Sequence, residues 1–478
     1  MSELRVRIAP SPTGTIHVGL VRTALYNWLL AKQQNGKFVL RIEDTDPTRS
    51  TEASAQAIIE GFKWLGITFD EGPFYQSQRF PIYREHARRL VADGKAYYCW
   101  CTAETLERER QEAWSLKRIW KYDRRCFALP AEEKARREHE SMPRTIRFLV
   151  PEGKVALDDA IHGRIERDSK EIEDFILLRA DGSPTYNFAV VVDDALMRLT
   201  HVVRGVEHIT STAKQILLYR ALGFPVPQFG HLPVLLGKDR KKLSKRFGAA
   251  SVDDFKKEGY LPEALINFLA LLGWSPGGDR EILTVPEMVN EFSLERVNKA
   301  DAIFDEEKLA WMNSEYLRNT PNERLVELIP PFLAGVGVPP DGIDGSRLRI
   351  VVGLTKVRVR TLKEMAEMMK PLLSDRFETD PAAAAKYLTP DTRVLLAQLA
   401  SAFAAVPDFK IPLLEDTLRK LAEQLGVKAA TLIHPCRVAL TGKTVGPPLF
   451  DVIVVLGRER VVERLKSQPG PVSASEPV

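Results

Sequence analysis

A proline-rich turn that ends in a glycine is followed by a histidine and a second glycine near the start of the chain, a combination suited to holding phosphate. The segment Arg5–Ile8 predicts a buried strand, and Pro10-Ser11-Pro12-Thr13-Gly14 predicts the turn after it. A helical pattern then begins near His17 and Gly19. A helix N-terminus offers unpaired N–H groups and a positive dipole end, so His17 could donate to a phosphoryl oxygen beside it. On these residues alone, a surface loop with a solvated histidine stays open as the alternative.

A second loop, Gly237–Gly248, is strongly basic. Its sequence GKDRKKLSKRFG holds six Lys or Arg in twelve residues, with Ser244 among them. The apolar segment HLPVLL precedes it, so the loop is expected to leave the end of a sheet strand. Lys242 and Lys245 could there neutralise a polyphosphate as it departs, a role that recurs in nucleotidyl transfer. A solvated basic face is the competing interpretation.

The elements around these loops alternate between strand and helix patterns. Phe38–Asp46 predicts a second strand that ends in acids, and Ser54–Leu65 predicts a helix. Such alternation favours a parallel sheet with helices on both faces, whose ligands bind beyond the carboxyl ends of the strands. The alternation of strand and helix patterns is lost between about residues 93 and 185, which indicates an insertion. It returns after that stretch, with a helix at Ser211–Ala221. Beyond Leu261 the patterns are almost entirely helical.

The composition is that of a globular protein with several domains. The chain has 478 residues, of which 44% are hydrophobic and 28% charged. It shows neither an apolar run long enough to span a membrane nor an apolar N-terminal signal, so a cytoplasmic location without membrane contact is expected. Lys and Arg exceed Asp and Glu by 68 to 64, which permits nucleic-acid binding without arguing for it. Four cysteines do not indicate a secretory disulfide framework.

Taken together, the two loops resemble the paired HIGH and KMSKS signatures of class I aminoacyl-tRNA synthetases, here HVGL and KLSKR. The resemblance to bacterial glutamyl-tRNA synthetases runs from about residue 5 to 465. It is carried by RIAPSPTG, FVLRIEDTD, GPFYQSQR, PTYNFAVVVDDALM, EGYLPEALINFLALLGW and FDEEKLAWMNSEYL. Leu20 departs from the family, which more often has a small polar residue there.

The resemblance implies an α/β fold: a Rossmann-type parallel-sheet catalytic domain with an inserted α+β domain, followed by an all-α C-terminal anticodon-binding half. The expected domain bounds are these: 1–92 with 186–250 catalytic, 93–185 inserted and acceptor-stem-binding, 251–321 a helical stem-contact domain, 322–466 anticodon-binding, and 467–478 a disordered tail.

The implied reaction joins ATP and L-glutamate into glutamyl-adenylate and then transfers the glutamyl group to the 3′-terminal adenosine of tRNA-Glu. Whether tRNA-Gln is also charged, and whether activation needs tRNA, stays open. The resemblance assigns catalysis to His17, Gly19, Lys242 and Lys245. It assigns ATP to Pro10, Thr13, Gly14, His17, Gly19, Ser244 and Lys245. No acidic metal cage is evident in the sequence, so Mg²⁺ is expected to arrive with ATP.

Glutamate recognition is implied for five residues. Arg7 and Arg204 would bind the γ-carboxylate and Glu43 the ammonium, while Ser11 and Tyr186 would line the same pocket. A charge on an apolar strand needs a partner, which argues against a mere surface role for Arg7 and Glu43. The resemblance implies that Glu207 helps to position substrate or tRNA and that Arg358 reads the anticodon, and the basic stretch HPCRVALTG adds Arg437 as a candidate tRNA contact. The protein is expected to be a monomer.

Cys99, Cys101 and Cys126 resemble the zinc site that some family members carry in the inserted domain. Zinc normally takes four ligands. The usual fourth, a histidine two residues after the last cysteine, is Ala128 here. Tyr122 is the first substitute, with His139 as a second candidate. Three reduced cysteines left from a lost site remain an equal alternative.

Two other functions share parts of this pattern. A glutaminyl-tRNA synthetase has the same catalytic motifs, but its anticodon-binding half is all-β, whereas here that half is predicted to be helical. A non-catalytic tRNA-binding paralogue should have lost the lysine motif or the glutamate pocket, and both are present in the sequence.

Overall fold

The computed structural model describes residues 3–46, 48, 50–118, 120–243 and 251–467. These residues form two compact units. The first contains the described residues up to Asp254 together with Leu265–Asp305, and the second contains Phe255–Ala264 together with the described residues from Glu306 onward. The predictions for Ser244, Lys245 and the tail after residue 467 fall outside the described residues.

The strands of the described residues all belong to the first unit. They are β1 (Arg5–Ile8), β2 (Lys37–Ile42), β3 (Glu71–Tyr75), β4 (Ala96–Cys99), β5 (Thr145–Phe148), β6 (Lys154–Asp159), β7 (Gly163–Asp168), β8 (Ile176–Leu178), β9 (His201–Gly205), β10 (Gln228–Leu232), β11 (Leu235–Leu236) and β12 (Ala302–Ile303).

Helices account for most of the remaining described chain. Those before residue 300 are α1 (Val18–Gln33), α2 (Glu52–Trp64), α3 (Phe80–Ala92), α4 (Ala103–Ser115), α5 (Ala131–His139), α6 (Tyr186–Leu196), α7 (Ile209–Leu222), α8 (Val252–Glu258), α9 (Pro262–Leu271) and α10 (Val285–Glu291). Those after it are α11 (Glu306–Asn319), α12 (Asn322–Leu328), α13 (Pro330–Gly335), α14 (Gly345–Thr355), α15 (Leu362–Leu373), α16 (Pro381–Tyr387), α17 (Pro390–Ala404), α18 (Ile411–Gln424), α19 (Ala430–Thr441), α20 (Leu449–Leu456) and α21 (Arg458–Lys466). None of these helices is long and apolar enough to cross a membrane.

Parallel strands form the frame of the first unit, as predicted. A sheet with the order β1-β2-β3 adjoins a second sheet with the order β7-β6-β10-β9. The two sheets meet at β1 and β9, where the Thr200 N–H donates to the Arg5 carbonyl oxygen at 2.9 Å. The strand order reverses between β1 and β9, and a crevice for ligands is expected beyond the carboxyl ends of strands at such a switch point.

The predicted elements agree with the structure except at their ends. The first strand has the predicted bounds, but β2 stops at Ile42 because Glu43 has left the sheet and donates its N–H to the Pro10 carbonyl oxygen at 2.9 Å. Helix α2 begins two residues before the predicted Ser54, since the Thr51 side chain caps it by accepting from the Ser54 N–H.

The strands between residues 93 and 185 belong to two different sheets, which the sequence did not reveal. Strands β4, β5 and β8 form a separate antiparallel sheet, but the hairpin β6–β7 extends the sheet that contains β10 and β9. Asp159 at the end of β6 lies beside Phe229 of β10 in parallel register. A side chain from this stretch therefore reaches the same sheet edge as β9 and β10.

The second unit is helical, as predicted for the C-terminal half. Its core joins apolar residues from most of its helices, among them Leu399, Phe403, Leu418 and Leu440, all fully buried.

Arg464 is a polar exception within this core. Its side chain is only 8% exposed, and hydrogen bonds compensate for this burial. Nη1 donates to the carbonyl oxygens of Pro371 and Leu440, each at 2.7 Å. Nη2 donates to the Ser374 carbonyl oxygen at 2.9 Å and to Asp375 Oδ1 at 2.7 Å. The guanidinium of α21 thus supplies donors to the C-terminal ends of α15 and α19, whose last carbonyl groups have no partner inside their own helix.

We expect Arg464→Met to destabilise the second unit by about 3 kcal/mol, because it leaves buried carbonyl groups without donors. Differential scanning calorimetry should show a lower melting temperature for the transition of that unit. The matched control is Lys466→Met, which changes an exposed cation two residues away. Equal melting temperatures for the two variants would contradict the structural role given to the guanidinium.

Candidate active site

A cavity of about 630 Å³ opens beyond the carboxyl ends of β1, β2 and β9, beside the N-terminus of α1. This is the switch-point position at which α/β sheets bind ligands. Twelve residues that the sequence singled out line it: Arg7, Pro10, Ser11, Thr13, Gly14, His17, Gly19, Glu43, Tyr186, Arg204, Glu207 and Lys242. The structure therefore brings together residues that are separated by more than 230 positions in the chain.

His17 is the N-cap of α1, and its ring is held in place by the helix. Its Nδ1 accepts a hydrogen bond from the Gly19 N–H at 3.1 Å, so the neutral imidazole carries its proton on Nε2. A Cβ at Gly19 would lie 3.4 Å from His17 Nδ1, which is an ordinary van der Waals contact. No acidic residue occupies the first turn of α1, so the positive end of the helix dipole is not neutralised there.

The turn before α1 is fixed to the end of β2. The Thr13 N–H donates to the Ser11 carbonyl oxygen at 2.9 Å, and the Glu43 N–H donates to the Pro10 carbonyl oxygen at 2.9 Å. Gly14 has φ +141°, a conformation that favours glycine. The ends of β1 and β2 consequently present their side chains to one cavity.

Arg204 extends from β9 into the cavity, and its guanidinium contacts three side chains of the protein. Its Nη2 donates to Thr212 Oγ1 at 2.8 Å and Gln215 Oε1 at 2.7 Å, while Nε faces His231 Nε2 at 3.3 Å. Nη1 is buried and has no hydrogen-bond partner among the described residues. Burial lowers the pKa of the Arg204 guanidinium, although an arginine stays charged in proteins. A buried cation with an unused donor calls for an anionic ligand.

Arg7 and Glu43 belong to one buried ionic network. Arg41, which is fully buried on β2, donates from Nη1 to Asp194 Oδ1 at 2.6 Å and from Nη2 to Glu43 Oε1 at 3.1 Å. Asp194 on α6 also faces Arg7, with Oδ1 3.4 Å from Nε and Oδ2 3.5 Å from Nη2. Arg41 and Asp194 thereby connect Arg7 and Glu43, two of the three charged residues that were predicted to contact glutamate.

The network affects the charges of its members differently. Burial raises the pKa of Asp194, but the adjacent Arg41 and Arg7 charges outweigh it and lower the pKa overall. Burial raises the pKa of Glu43 by more than the same arginines lower it. Sequence reasoning missed Asp194 and Arg41, although an acid within the apolar run FAVVVDDAL and an arginine within FVLRI were signals of buried partners.

The remaining lining residues come from the start of α6 and from the segments after β9 and β11. The Tyr186 hydroxyl lies 3.1 Å from His208 Nδ1. The Glu207 carboxylate folds over Gly205, where an added Cβ would clash with Oε2. Lys242 is exposed and pairs with Leu236 in an isolated bridge. This side of the cavity thus contains a tyrosine, a carboxylate and a lysine.

Cys99, Cys101 and Cys126 converge near the end of β4, and their Sγ atoms lie within 4.8 Å of one another. The Tyr122 hydroxyl is 3.3 Å from Cys99 Sγ and 3.7 Å from Cys101 Sγ. A hydrogen bond with Cys126 is the largest cause that lowers the pKa of the Cys99 thiol, to about 4. His139 is exposed and does not belong to this cluster.

In the second unit, Arg358 and Arg437 lie near each other. Arg358 is exposed on the turn that follows α14, and Arg437 on α19 donates from Nη1 to the Pro447 carbonyl oxygen at 2.6 Å. Burial and the Arg358 charge lower the pKa of Arg437. The two guanidinium groups therefore form a local concentration of positive charge.

A parallel sheet with a cavity at its switch point, a histidine-capped helix beside that cavity and Lys242 at its rim agree with the resemblance to class I aminoacyl-tRNA synthetases. Residues 3–311 match the family described as tRNA synthetases class I (E and Q), catalytic domain, and residues 324–468 match the family described as anticodon binding domain. The chain belongs to this glutamyl and glutaminyl family of class I tRNA synthetases.

Similar proteins cover almost the entire chain. A glutamate–tRNA ligase of Thermodesulfovibrio yellowstonii is 46% identical, with 97% of this chain and 98% of the relative aligned. A glutamate–tRNA ligase of Geobacter sulfurreducens is 47% identical, with 98% of each chain aligned. The crystal structure of a glutamate tRNA ligase from Elizabethkingia meningosepticum in complex with its amino acid superposes with a TM-score of 0.88 at 35% identity, covering 97% of this chain and 98% of that one.

We expect Asp194→Asn to lower the stability of the first unit by about 3–5 kcal/mol, because it leaves Arg41 buried without its closest carboxylate. The pKa of Asp194 is lowered in the folded protein. Its contribution is therefore present above the unfolded-state pKa of about 3.9 and disappears as the pH falls through the lower folded-state value. The difference in melting temperature from wild type should stay constant from about pH 5 to 8 and shrink only below about pH 4.

Asp158→Asn, which changes an exposed aspartate on β6, is the control and should change the melting temperature little. A wild-type-like melting temperature for Asp194→Asn at neutral pH would show that the ion pair does not support the site.

Proposed function

We infer that the chain is a glutamate–tRNA ligase, which activates L-glutamate with ATP and transfers the glutamyl group to the 3′-terminal adenosine of tRNA-Glu. Curated relatives named glutamate–tRNA ligase align over nearly the full length at 46% and 47% identity. The observation that carries the substrate assignment is Arg204, a buried cation whose Nη1 has no hydrogen-bond partner among the described residues.

In the first step, the α-carboxylate of glutamate attacks the α-phosphorus of ATP and pyrophosphate leaves. This displacement needs alignment and neutralisation of charge more than an acid or a base. We assign ATP to the N-terminus of α1, where His17 Nε2 can donate and where Gly19 leaves room for the nucleotide. Pro10, Thr13 and Gly14 form the adjoining wall, and Mg²⁺ arrives with the ATP phosphates.

For glutamate, Arg204 Nη1 and Arg7 would bind the γ-carboxylate. A guanidinium forms charge-assisted hydrogen bonds with the carboxylate of glutamate, whereas the NH₂ group of the glutamine amide would place a second donor against the guanidinium N–H groups. Glu43 would accept from the ammonium group, and Ser11 and Tyr186 complete the pocket. Arg41 and Asp194 support this assignment, since they hold the two charged groups in one network.

The lysine loop and the second unit complete the assignment. Lys242 at the cavity rim and Lys245 in the same loop would neutralise the departing pyrophosphate, with Ser244 between them. Glu207 would contact the tRNA end, and Arg358 and Arg437 the anticodon loop, where basic side chains bind the RNA backbone.

We propose that the cysteine cluster holds a structural zinc ion. Four ligands at 2.0–2.3 Å in a tetrahedron place neighbouring sulfur atoms about 3.8 Å apart. Cys101 and Cys126 Sγ lie 3.6 Å apart, and the Tyr122 hydroxyl lies 3.3 Å from Cys99 Sγ, so these two pairs have spacings near those of neighbouring zinc ligands. Zinc would there join β4 to the segment around Cys126 and take no part in the reaction.

The decisive experiment is aminoacylation of purified tRNA-Glu with labelled glutamate, beside tRNA-Gln and with glutamine as the competing amino acid. We expect wild type to charge tRNA-Glu with glutamate, and the result for tRNA-Gln decides whether the protein also accepts the second tRNA. We expect Arg204→Gln to reduce kcat/KM for glutamate at least about 10²-fold and to weaken discrimination against glutamine.

The control for that variant is Arg220→Gln, an exposed arginine on α7. No charging of either tRNA by wild type would refute the proposed function. An Arg204→Gln protein that keeps its glutamate efficiency and still rejects glutamine would instead refute the pocket assignment.

For zinc, plasma mass spectrometry of the purified protein should find about one zinc per chain, and Cys126→Ser should remove it. Cys436→Ser, which changes a buried free cysteine in the second unit, is the matched control and should keep the metal. Wild-type protein without zinc would favour the alternative of three reduced cysteines.

A further inference from the structure

Behind Arg204 lies a buried chain of polar groups that the reaction itself does not require. Asp159 ends β6, His231 lies in β10, and Arg204 lies beside His231 in the register of β9 with β10. The three residues are 4%, 0% and 4% exposed. Three neighbouring strands therefore place an acid, an imidazole and a guanidinium in sequence, ending at the cavity.

The first contact in this chain fixes which oxygen of Asp159 faces the ring. Its Oδ1 accepts from the N–H groups of Ile161 and His162, each at 2.9 Å, and is 3.4 Å from the N–H of His231. Its Oδ2 lies 2.6 Å from His231 Nδ1. Hydrogen bonds that include the one with His231 overcome the effect of burial and lower the pKa of Asp159. The group is therefore a carboxylate, and His231 Nδ1 carries the proton between them.

The second contact follows from that tautomer. With the proton on Nδ1, Nε2 of a neutral ring has a lone pair, and it lies 3.3 Å from Arg204 Nε and 3.0 Å from Thr212 Oγ1. Arg204 can only donate, so this contact exists only while Nε2 accepts. Burial lowers the pKa of His231, which favours the neutral ring.

We propose that Asp159 and His231 are positioning residues that set the selectivity for an acidic amino acid: the carboxylate fixes the tautomer of His231, whose Nε2 then holds Arg204 with Nη1 free for the substrate carboxylate. The guanidinium is fixed on its Nε side by His231 and on Nη2 by Thr212 and Gln215. This inference rests on the proposed function, because it concerns how Arg204 meets the glutamate side chain.

The test is Asp159→Asn, which keeps the shape of the side chain and replaces the acceptor that faces His231 Nδ1 by a donor. The backbone N–H groups of Ile161 and His162 would hold the carbonyl oxygen of the introduced amide at the Oδ1 position. Its NH₂ would then face His231 Nδ1, which must accept, so the ring proton moves to Nε2. Nε2–H would now oppose Arg204 Nε–H, and the guanidinium loses its fixed orientation.

We expect Asp159→Asn to raise KM for glutamate about 10- to 100-fold in ATP–pyrophosphate exchange with tRNA-Glu present, the effect of losing a hydrogen bond from a charged donor. KM for ATP should stay within about 2-fold, and discrimination against glutamine should fall. In protein labelled with ¹⁵N-histidine, the His231 Nε2 resonance should change from the unprotonated to the protonated type. Asp158→Asn, the exposed neighbour on the same strand, is the control and should change none of these values.

His231→Gln and His231→Leu provide the second comparison and cover the case in which Asp159→Asn does not fold. A glutamine amide can turn its oxygen toward Arg204, so it should keep KM for glutamate well below that of the leucine variant. The double variant Asp159→Asn/His231→Gln should recover part of the loss for the same reason.

An unchanged KM for glutamate in Asp159→Asn, or equal values for the glutamine and leucine variants, would overturn the proposal. An equal rise of KM for ATP and for glutamate would show a merely structural role and overturn it as well. These outcomes are distinct from failure of the proposed function, in which wild type itself would not activate glutamate.

Discussion

The ion pair of Arg41 and Asp194 is the contact on which the charged side of the cavity depends. Both side chains are removed from water, which costs several kcal/mol per ion unless each finds opposite charge and good hydrogen bonds. Arg41 meets that condition by donating to Asp194 and Glu43 together, and Asp194 meets it by lying between Arg41 and Arg7. Charge can therefore be kept at the ends of apolar strands, where an unpaired ion would not be stable.

Arg204 is also a buried charge, but the protein satisfies only part of its guanidinium. The protein supplies partners to Nε and Nη2 and leaves Nη1 without one among the described residues. An anion that binds there recovers part of the cost of burying the guanidinium, whereas a neutral amide of the same shape does not. Under the proposed function, charge would therefore distinguish two amino acids that differ little in size, and this selectivity would depend on how firmly the guanidinium is held.

The two compact units contain different features of the chain. The first unit contains the cavity and the cysteine cluster, which lies in the separate part of that unit formed around β4 and β5. The second unit is built from helices. Arg464 joins the C-terminal ends of α15 and α19, and Arg358 and Arg437 lie near each other in the same unit. Each unit has its own apolar core, as a domain that folds around its own buried surface requires.

The sequence by itself determined the parallel sheet, the helical second half and the loop residues of the cavity, because strand period, turn residues and helix N-termini are local properties. Pro10, Gly14, His17 and Gly19 could be assigned in this way. Only the tertiary structure decided which charges face each other. Asp194 lies beside Arg7, 187 positions away in the chain. Asp159 contacts His231, 72 positions away, and through it reaches Arg204. An aspartate in an apolar segment shows that a partner must exist, but the pairing of strands and helices selects that partner.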